Sequence, residues 1–355
     1  MRFGLVFGFV TPPRQALTWQ AAARDFVRGA RLAEELGYDT VGVVEHHFQP
    51  DGYLPSPLVA LAAAAGATER VRLETNILLV PLYRPVKLAE DIAVLDNLCG
   101  GRLTLGVAPG YVSEEFAGME VPYAERFRRF EEALDLMQLA WTQQTFSFDG
   151  EFFHVPETTL TPKPVQSPHP PIRYGVSGPR LLRRAARRRA VLTASPRHTV
   201  AELAEHFRIY ERAAAEHGFV PAERPAMREV YVAETRAKAE QVADPAVTHL
   251  FRELYGRKSE QGERALRSDD GALIEDMERV DFETFKGRYI IGTPDDAIER
   301  LTELRDELGV TEVSCWMHLP GLSGADAEHS ARLFAAEVMP ALADDPASAT
   351  ARSAR

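Results

Sequence analysis

The sequence predicts an α/β fold, a (β/α)8 or TIM barrel with insertions, and three observations predict it. Short β-rich runs alternate with longer amphipathic helices along the chain. Such alternation implies a parallel sheet, because each crossover must lay a helix on a sheet face. Eight strand candidates can be counted, the number that closes a barrel. A doubly wound sheet is the competing architecture; binding a dinucleotide, it would carry a Gly-x-Gly-x-x-Gly loop after an early strand, and none stands there.

In chain order, the strand candidates are residues 2–9, 40–44, 71–79, 103–107, 172–176, 190–193, 227–233 and 312–316. Helices are expected at 19–36, 57–67, 85–98, 126–141, 180–188, 200–217, 236–255 and 294–308, with a last one at 325–338. Gly37 and Gly218 stand just past helical runs, where a residue at positive φ commonly ends a helix. Thr293-Pro294-Asp295-Asp296 offers a capping hydroxyl, a proline for the first turn and acids for the helix dipole.

Two segments do not fit the repeat. Residues 145–171, with Phe146, Phe148, Phe152, Phe153 and a proline-rich stretch, read as a hairpin and an extended insertion. Residues 256–289, before the last βα unit, are charged and poor in β-branched residues. A loop of that length reads as a functional lid over an active site or as a disordered segment. The expected organisation is one barrel domain over 1–342 and a disordered tail over 343–355, rich in Ala, Ser and Asp.

Composition narrows the function classes. Of the 355 residues 45% are hydrophobic and 26% charged, as in a globular protein with a sizeable core. A net charge of −11 argues against nucleic acid or an anionic membrane as partner, since such binding needs clustered cations. The run Arg183, Arg184, Arg187, Arg188 and Arg189 reads as the solvated face of a short helix. Cys99 and Cys315 alone make no disulfide framework. With no signal-peptide layout and no membrane-spanning run, a cytoplasmic protein is expected.

Barrel enzymes carry their chemistry at the C-terminal strand ends, and the unusual residues collect there. Glu45-His46-His47-Phe48 follows the second strand, Ala108-Pro109-Gly110-Tyr111 the fourth and Ser177-Gly178 the fifth, and Met317-His318 lies beyond the last. Imidazole titrates near neutral pH, so one of the adjacent histidines could exchange a proton during catalysis, with a carboxylate beside it. The pair could equally be satisfied loop histidines. No His-x-His or Cys-x-x-Cys spacing supports a metal, and none is expected. Ser177-Gly178-Pro179 opens a helix, either as a simple cap or as a phosphate site. Asn76 inside a strand could pair with backbone or face a ligand. Tyr111 and Phe116 read as core or as cavity wall. Arg126 and Arg128 begin a helix, where the dipole disfavours cations unless an anion is bound.

These residues resemble the bacterial-luciferase-like family. Met1-Arg2-Phe3-Gly4, Gly37-Tyr38-Asp39-Thr40-Val41 and Glu45-His46-His47-Phe48 are similar to its first blocks. Leu88-Ala89-Glu90-Asp91, Leu95-Asp96 and Gly101-Arg102-Leu103 resemble the next. Pro162-Lys163-Pro164-Val165-Gln166, Ile291-Gly292-Thr293-Pro294 and the stretch 333–340 follow in order. The resemblance runs over residues 1–342.

The resemblance implies reduced FMN, or less often F420, at the barrel mouth, and an oxidoreductase. In the family's monooxygenases reduced FMN reacts with O2 to a C4a-peroxyflavin, which oxygenates a small organic substrate such as an aldehyde. A separate flavin reductase supplies the reduced flavin, and homodimers are common. By resemblance His46 is the catalytic acid/base, supported by His47 and Glu45. Asn76–Ile77 falls where the family places a non-prolyl cis peptide beneath the flavin. Ala108, Gly110 and Val176 border the cofactor, and Ser177, Gly178 and Arg126 match the phosphate region, with Arg128 competing for Arg126's place. Ala108 replaces luciferase's reactive cysteine, and Pro109 a common arginine. Three other readings stand beside this one: an F420-dependent dehydrogenase or reductase, a non-catalytic luciferase β-like subunit, and a metal-dependent barrel hydrolase.

Overall fold

The computed structural model describes residues 1–12, 18–256 and 266–343. Its parallel strands are β1 (Arg2–Phe7), β2 (Thr40–Val43), β3 (Arg72–Leu79), β4 (Leu103–Ala108), β7 (Ile172–Tyr174), β8 (Val191–Leu192), β9 (Pro225–Val232), β10 (Ile290–Gly292) and β11 (Glu312–His318). β5 (Phe146–Asp149) and β6 (His154–Thr158) form a separate antiparallel hairpin. The main sheet runs in the order β10-β9-β11-β1-β2-β3-β4-β7-β8. It curls shut where Ala194, just past β8, meets β9: the Ala194 N–H donates to Pro225 O (2.9 Å), and the Met227 N–H donates to Ala194 O (3.0 Å).

All eight expected strands are present, and the barrel they form is the expected one. Corrections concern its edges. β10, pairing with the outer half of β9 through Ile290 and Val230, was not expected, because Ile-Ile-Gly is too short to display a period. The helix Ser113–Gly118 was also missed. The helix expected over 236–255 ends at His249 and continues as a π-helical segment, Leu250–Gly256.

Local chemistry explains the helices that flank the site. Trp19–Leu36 stops at Gly37, whose φ of 83° is left-handed. Val200–Glu216 starts in a full capping box between Thr199 and Glu202, and Pro294–Leu308 in another between Thr293 and Asp296. Between the sheet and its surrounding helices, Leu5, Val41, Leu73, Leu105 and Val313 are fully buried. Toward the N-terminal end, Arg173 on β7 links Glu74 on β3 (2.9 Å), Glu312 on β11 (2.7 Å) and Glu223 (2.9 Å). Burial and the neighbouring Glu312 push the Glu74 carboxyl up to about 7, against the pull of Arg173. Polar partners at this end of the barrel serve stability, and the opposite rim is left for chemistry.

Of the segment read as a lid, residues 257–265 lie outside the described residues. The described remainder carries Val280, Phe282, Phe285 and Tyr289, which are buried in a cluster with Phe251, Leu254 and Trp316. The tail from 344 onward also lies outside. No helix among the described residues is long and apolar enough to cross a membrane.

Candidate active site

A cavity of about 560 Å³ opens at the C-terminal end of the barrel, within the size range of small-ligand sites. His46, Asn76 and Ser177, far apart in sequence, all line it, together with Glu45, Ile77, Ala108, Gly110, Val176 and Gly178. Two expected site residues do not line it: His47 and Arg126.

His46 follows β2 and is held by a partner that sequence reasoning missed. Its Nδ1 lies 2.7 Å from Glu115 Oε1, and the same oxygen accepts the His47 N–H at 3.1 Å. An ionised carboxylate only accepts, so this bond places the proton of a neutral ring on Nδ1 and leaves the Nε2 lone pair as the base. The carboxylate oriented on His46 is therefore Glu115, not Glu45. Glu115 reaches it because Gly110, at φ 75°, turns the chain after β4; a Cβ there would meet the Phe116 ring at 2.9 Å. The short helix Ser113–Gly118 then buries Glu115 and Phe116 and exposes Glu114.

Glu45 and His47 form a second, separate unit. Glu45 Oε1 lies 2.8 Å from His47 Nε2 and accepts from the Tyr83 hydroxyl (2.6 Å), while Oε2 accepts the Leu79 N–H (2.8 Å). Burial raises the Glu45 carboxyl above its ordinary range, and these donors offset part of that rise. The unit ties the loop after β2 to the end of β3, so its effect on His46 is positional.

Tyr53 closes the same loop in a strained conformation. Its φ of 111° is unusual for an aromatic residue and costs about 1–3 kcal/mol, a strain found mostly at functional sites. The ring sits edge-on to His46, 4.9 Å between centroids. Tyr111 approaches His46 from another side at 5.9 Å.

The floor is built by β3 and β7. Pairing of β3 with β4 slips between Thr75 and Leu78, which releases Asn76 and Ile77 from the ladder, and the peptide joining them is cis. A Cβ on Gly175, beyond β7, would lie 2.1 Å from Ile77 Cδ1, so glycine keeps this part of the floor open. Next, Gly178 at φ 84° starts the helix Pro179–Arg187, and no side chain caps it. Pro179 has no N–H and the Leu181 N–H donates to Gly178 O (3.1 Å), so the Arg180 N–H at this helix start is left without a side-chain acceptor, which suits a phosphate. An open floor, a helix start without a side-chain cap and a base nearby fit a flavin phosphate cofactor. Val176, Ser177 and Gly178 would hold its phosphate end, and Ala108, Gly110, Asn76 and Ile77 its ring system.

Arg126 takes a different part. Its guanidinium lies over the rings of Tyr123 (3.9 Å) and Phe127 (4.1 Å) and donates to Tyr123 O. Phe127, the next residue, reaches the cavity wall instead. Arg128 is half exposed and pairs with Glu151. Among the described residues, the cations that do line the cavity are Arg197, Arg267 and Arg288, with His198 and His206. Arg197 lies 5.5 Å from the Tyr111 ring and 5.6 Å from that of Tyr255. Arg197 stands in the loop after β8, where the strand-end rule applied to the sixth barrel strand would have found it.

His318 lies elsewhere. It packs on Phe7 at 4.2 Å in a small recess away from the main cavity, and burial lowers its imidazole to about 3. Among the described residues, no group of three or more His, Cys, Asp or Glu could hold a metal ion.

A family model for luciferase-like monooxygenases matches residues 1–312. The oxygenase component of a flavin-dependent trigonelline monooxygenase from Acinetobacter baylyi is 28% identical over 332 residues, 90% of this chain and 90% of its own. An F420-dependent glucose-6-phosphate dehydrogenase from Kineococcus radiotolerans is 36% identical over 183 residues, 48% of this chain and 53% of its own. Among solved structures, the monooxygenase RslO1 from Streptomyces bottropensis superposes with a TM-score of 0.85 at 27% identity, over 97% of this chain and 100% of that one.

Proposed function

This chain belongs to the luciferase-like monooxygenase family, and from that premise we propose that it is the oxygenase component of a two-component, FMN-dependent monooxygenase. The observation that carries the reading is the meeting of His46, the Asn76–Ile77 peptide and the Ser177–Gly178 helix start in one cavity. Reduced FMN, when bound, would supply the electrons that activate O2 toward a small organic substrate. Everything else falls to the chain. The helix start and Ser177 bind the phosphate. Val44, Leu79, Met227 and Trp316 give the cavity apolar wall that excludes water. His46, with Nδ1 bound to Glu115, holds or moves a proton at Nε2. A dedicated reductase, as a two-component system requires, would deliver the reduced flavin; the likeness to a named oxygenase component supports that.

A second reading, hydride transfer to F420 from an alcohol, is favoured by the likeness to an F420-dependent dehydrogenase. A carboxylate-oriented imidazole would also remove an alcohol proton. Anaerobic titration with reduced FMN and, separately, with F420, followed by an oxygen pulse over a substrate panel, separates the two. Tight binding of reduced FMN and oxygen-dependent product are expected. Preferential binding of F420 with oxygen-independent alcohol oxidation overturns the first reading.

A further inference from the structure

Glu229, on β9, is the most deeply buried carboxyl near the cavity that the proposed chemistry does not use. Its exposure is 0%. Oε1 accepts the Tyr255 hydroxyl at 2.9 Å, and Oε2 has no hydrogen-bond partner among the described residues. Cations stand close by, but they are committed to other acceptors. Arg228 donates to the carbonyls of Ser195, Met227 and His198. Arg288 binds Asp269 and the carbonyls of Arg197 and Arg267. No ion pair to Glu229 exists among the described residues. An ionised carboxylate with one oxygen buried and unpaired, and only a neutral hydroxyl on the other rather than the imidazole and N–H that Glu115 has, is costly, and the usual outcome is that the group takes up a proton. Burial pushes this carboxyl upward, and Arg228 and Arg288 only partly oppose it.

Tyr255 links this acid to the cavity. It lies on the π-helical segment Leu250–Gly256 and lines the cavity wall. Arg197 lies over its ring, and Tyr53 and Tyr111 act on it electrostatically. We propose that Glu229 is the neutral carboxylic acid and a positioning residue for Tyr255: its O–H donates to the Tyr255 oxygen and turns the tyrosine proton to an acceptor atom of the substrate. The cavity then has a proton-accepting pole at His46 and a neutral proton-donating pole at Tyr255. A neutral donor suits an uncharged oxygen that gains negative charge as it reacts, because it stabilises that charge without first desolvating an ion. The substrate role rests on the oxygenase reading above. The protonation state does not, because it belongs to the folded chain alone.

Infrared difference spectroscopy on the full-length protein tests this without cofactor or substrate. The spectrum of wild type minus Glu229→Gln at neutral pH is expected to contain the C=O stretch of a protonated carboxyl. Wild type minus Tyr255→Phe should show that same stretch shifted, and a tyrosine C–O stretch typical of a hydroxyl that accepts a hydrogen bond. Ionised-carboxylate bands in place of the C=O stretch, or a Tyr255 hydroxyl that only donates, would overturn the proposal. The two variants report independently, so the loss of either one to misfolding leaves the other decisive. A failure of reduced FMN to bind would count against the oxygenase reading and leave the infrared result standing. Once turnover is measurable, Glu229→Gln, whose amide can still donate, should retain activity within about threefold, whereas Glu229→Leu should fall with Tyr255→Phe; equal loss in Gln and Leu variants would also overturn it.

Discussion

Replacing Glu115 tests the site most directly, because it removes the group that orients the proposed base without touching the cofactor floor. In Glu115→Gln the amide oxygen can still accept both from His46 Nδ1, now at 2.7 Å, and from the His47 N–H, now at 3.1 Å. Geometry and tautomer survive; the negative charge does not. Hydrogen bonds to charged groups contribute about 1.5–3 kcal/mol and neutral ones about 0.5–1.5. The imidazolium formed during turnover therefore loses roughly 1–2 kcal/mol, which is about 5–30-fold in rate. Glu115→Ala removes the acceptor as well and frees the ring to change tautomer. Its loss should approach that of His46→Ala, roughly 10²–10⁴-fold. The assay is product formation from reduced FMN and O2 across an aldehyde and ketone panel, with a double-mutant cycle of His46→Ala and Glu115→Ala. Residues acting as one unit are strongly non-additive. Reduced-FMN affinity should stay within about threefold throughout. An unchanged rate in Glu115→Gln and Glu115→Ala, or full additivity in the cycle, would refute the coupling of Glu115 to His46.

Two further perturbations address the scaffold. Gly106→Ala would bring a Cβ to 2.2 Å from the Thr75 carbonyl oxygen. Backbone in adjacent strands cannot step aside as a flexible side chain can, so urea unfolding should show a loss of at least about 1–3 kcal/mol, and wild-type stability would contradict the packing of β3 on β4. The Glu74 carboxyl, raised to about 7 in the folded chain, keeps its proton between the ordinary carboxylate range and that value while the unfolded chain gives it up. Its contribution is therefore present at low pH and lost as pH rises from about 4.5 to 7, by at most about 3 kcal/mol. Glu74→Gln should flatten the fall in stability between pH 5 and 8; a steeper fall in the variant would show that the sign is wrong.

The barrel was legible because its signal is repetitive, and the strand-end rule then located His46, Asn76 and Ser177. What escaped had physical reasons. Glu115 lies in a six-residue helix, too short for a hydrophobic period, and only tertiary structure distinguishes it from the exposed Glu114. Arg126 reads from sequence as a cation awaiting an anion at the cavity, yet its guanidinium is turned onto two aromatic faces and a carbonyl. His318 shares the parity of Trp316, so simple alternation would aim both at the cavity. Pairing of β1 with β11 slips between Val6 and Phe7, opposite these residues. That irregularity turns His318 out to Phe7, because one extra residue reverses the facing of all that follow.

The same polar contacts decide what field the cavity presents. The chain carries a net charge of −11, which taken alone would disfavour an anionic cofactor. Yet among the described residues the carboxylates at the wall, Glu45 and Glu202, and Glu115 behind His46 are engaged elsewhere. Glu45 takes three donors, Glu115 is bound to His46, and Glu202 closes the capping box with Thr199. Arg228 and Arg288 donate mainly to carbonyls, and Arg288 also pairs with Asp269, which fixes the loops 195–198 and 267–269. Arg197, Arg267 and the uncapped helix at Gly178 then set the local sign. In a cavity of low dielectric such nearby charges outweigh distant surface acids, which salt screens over about 8–10 Å. A flavin phosphate can thus be drawn into the barrel mouth of a strongly acidic protein.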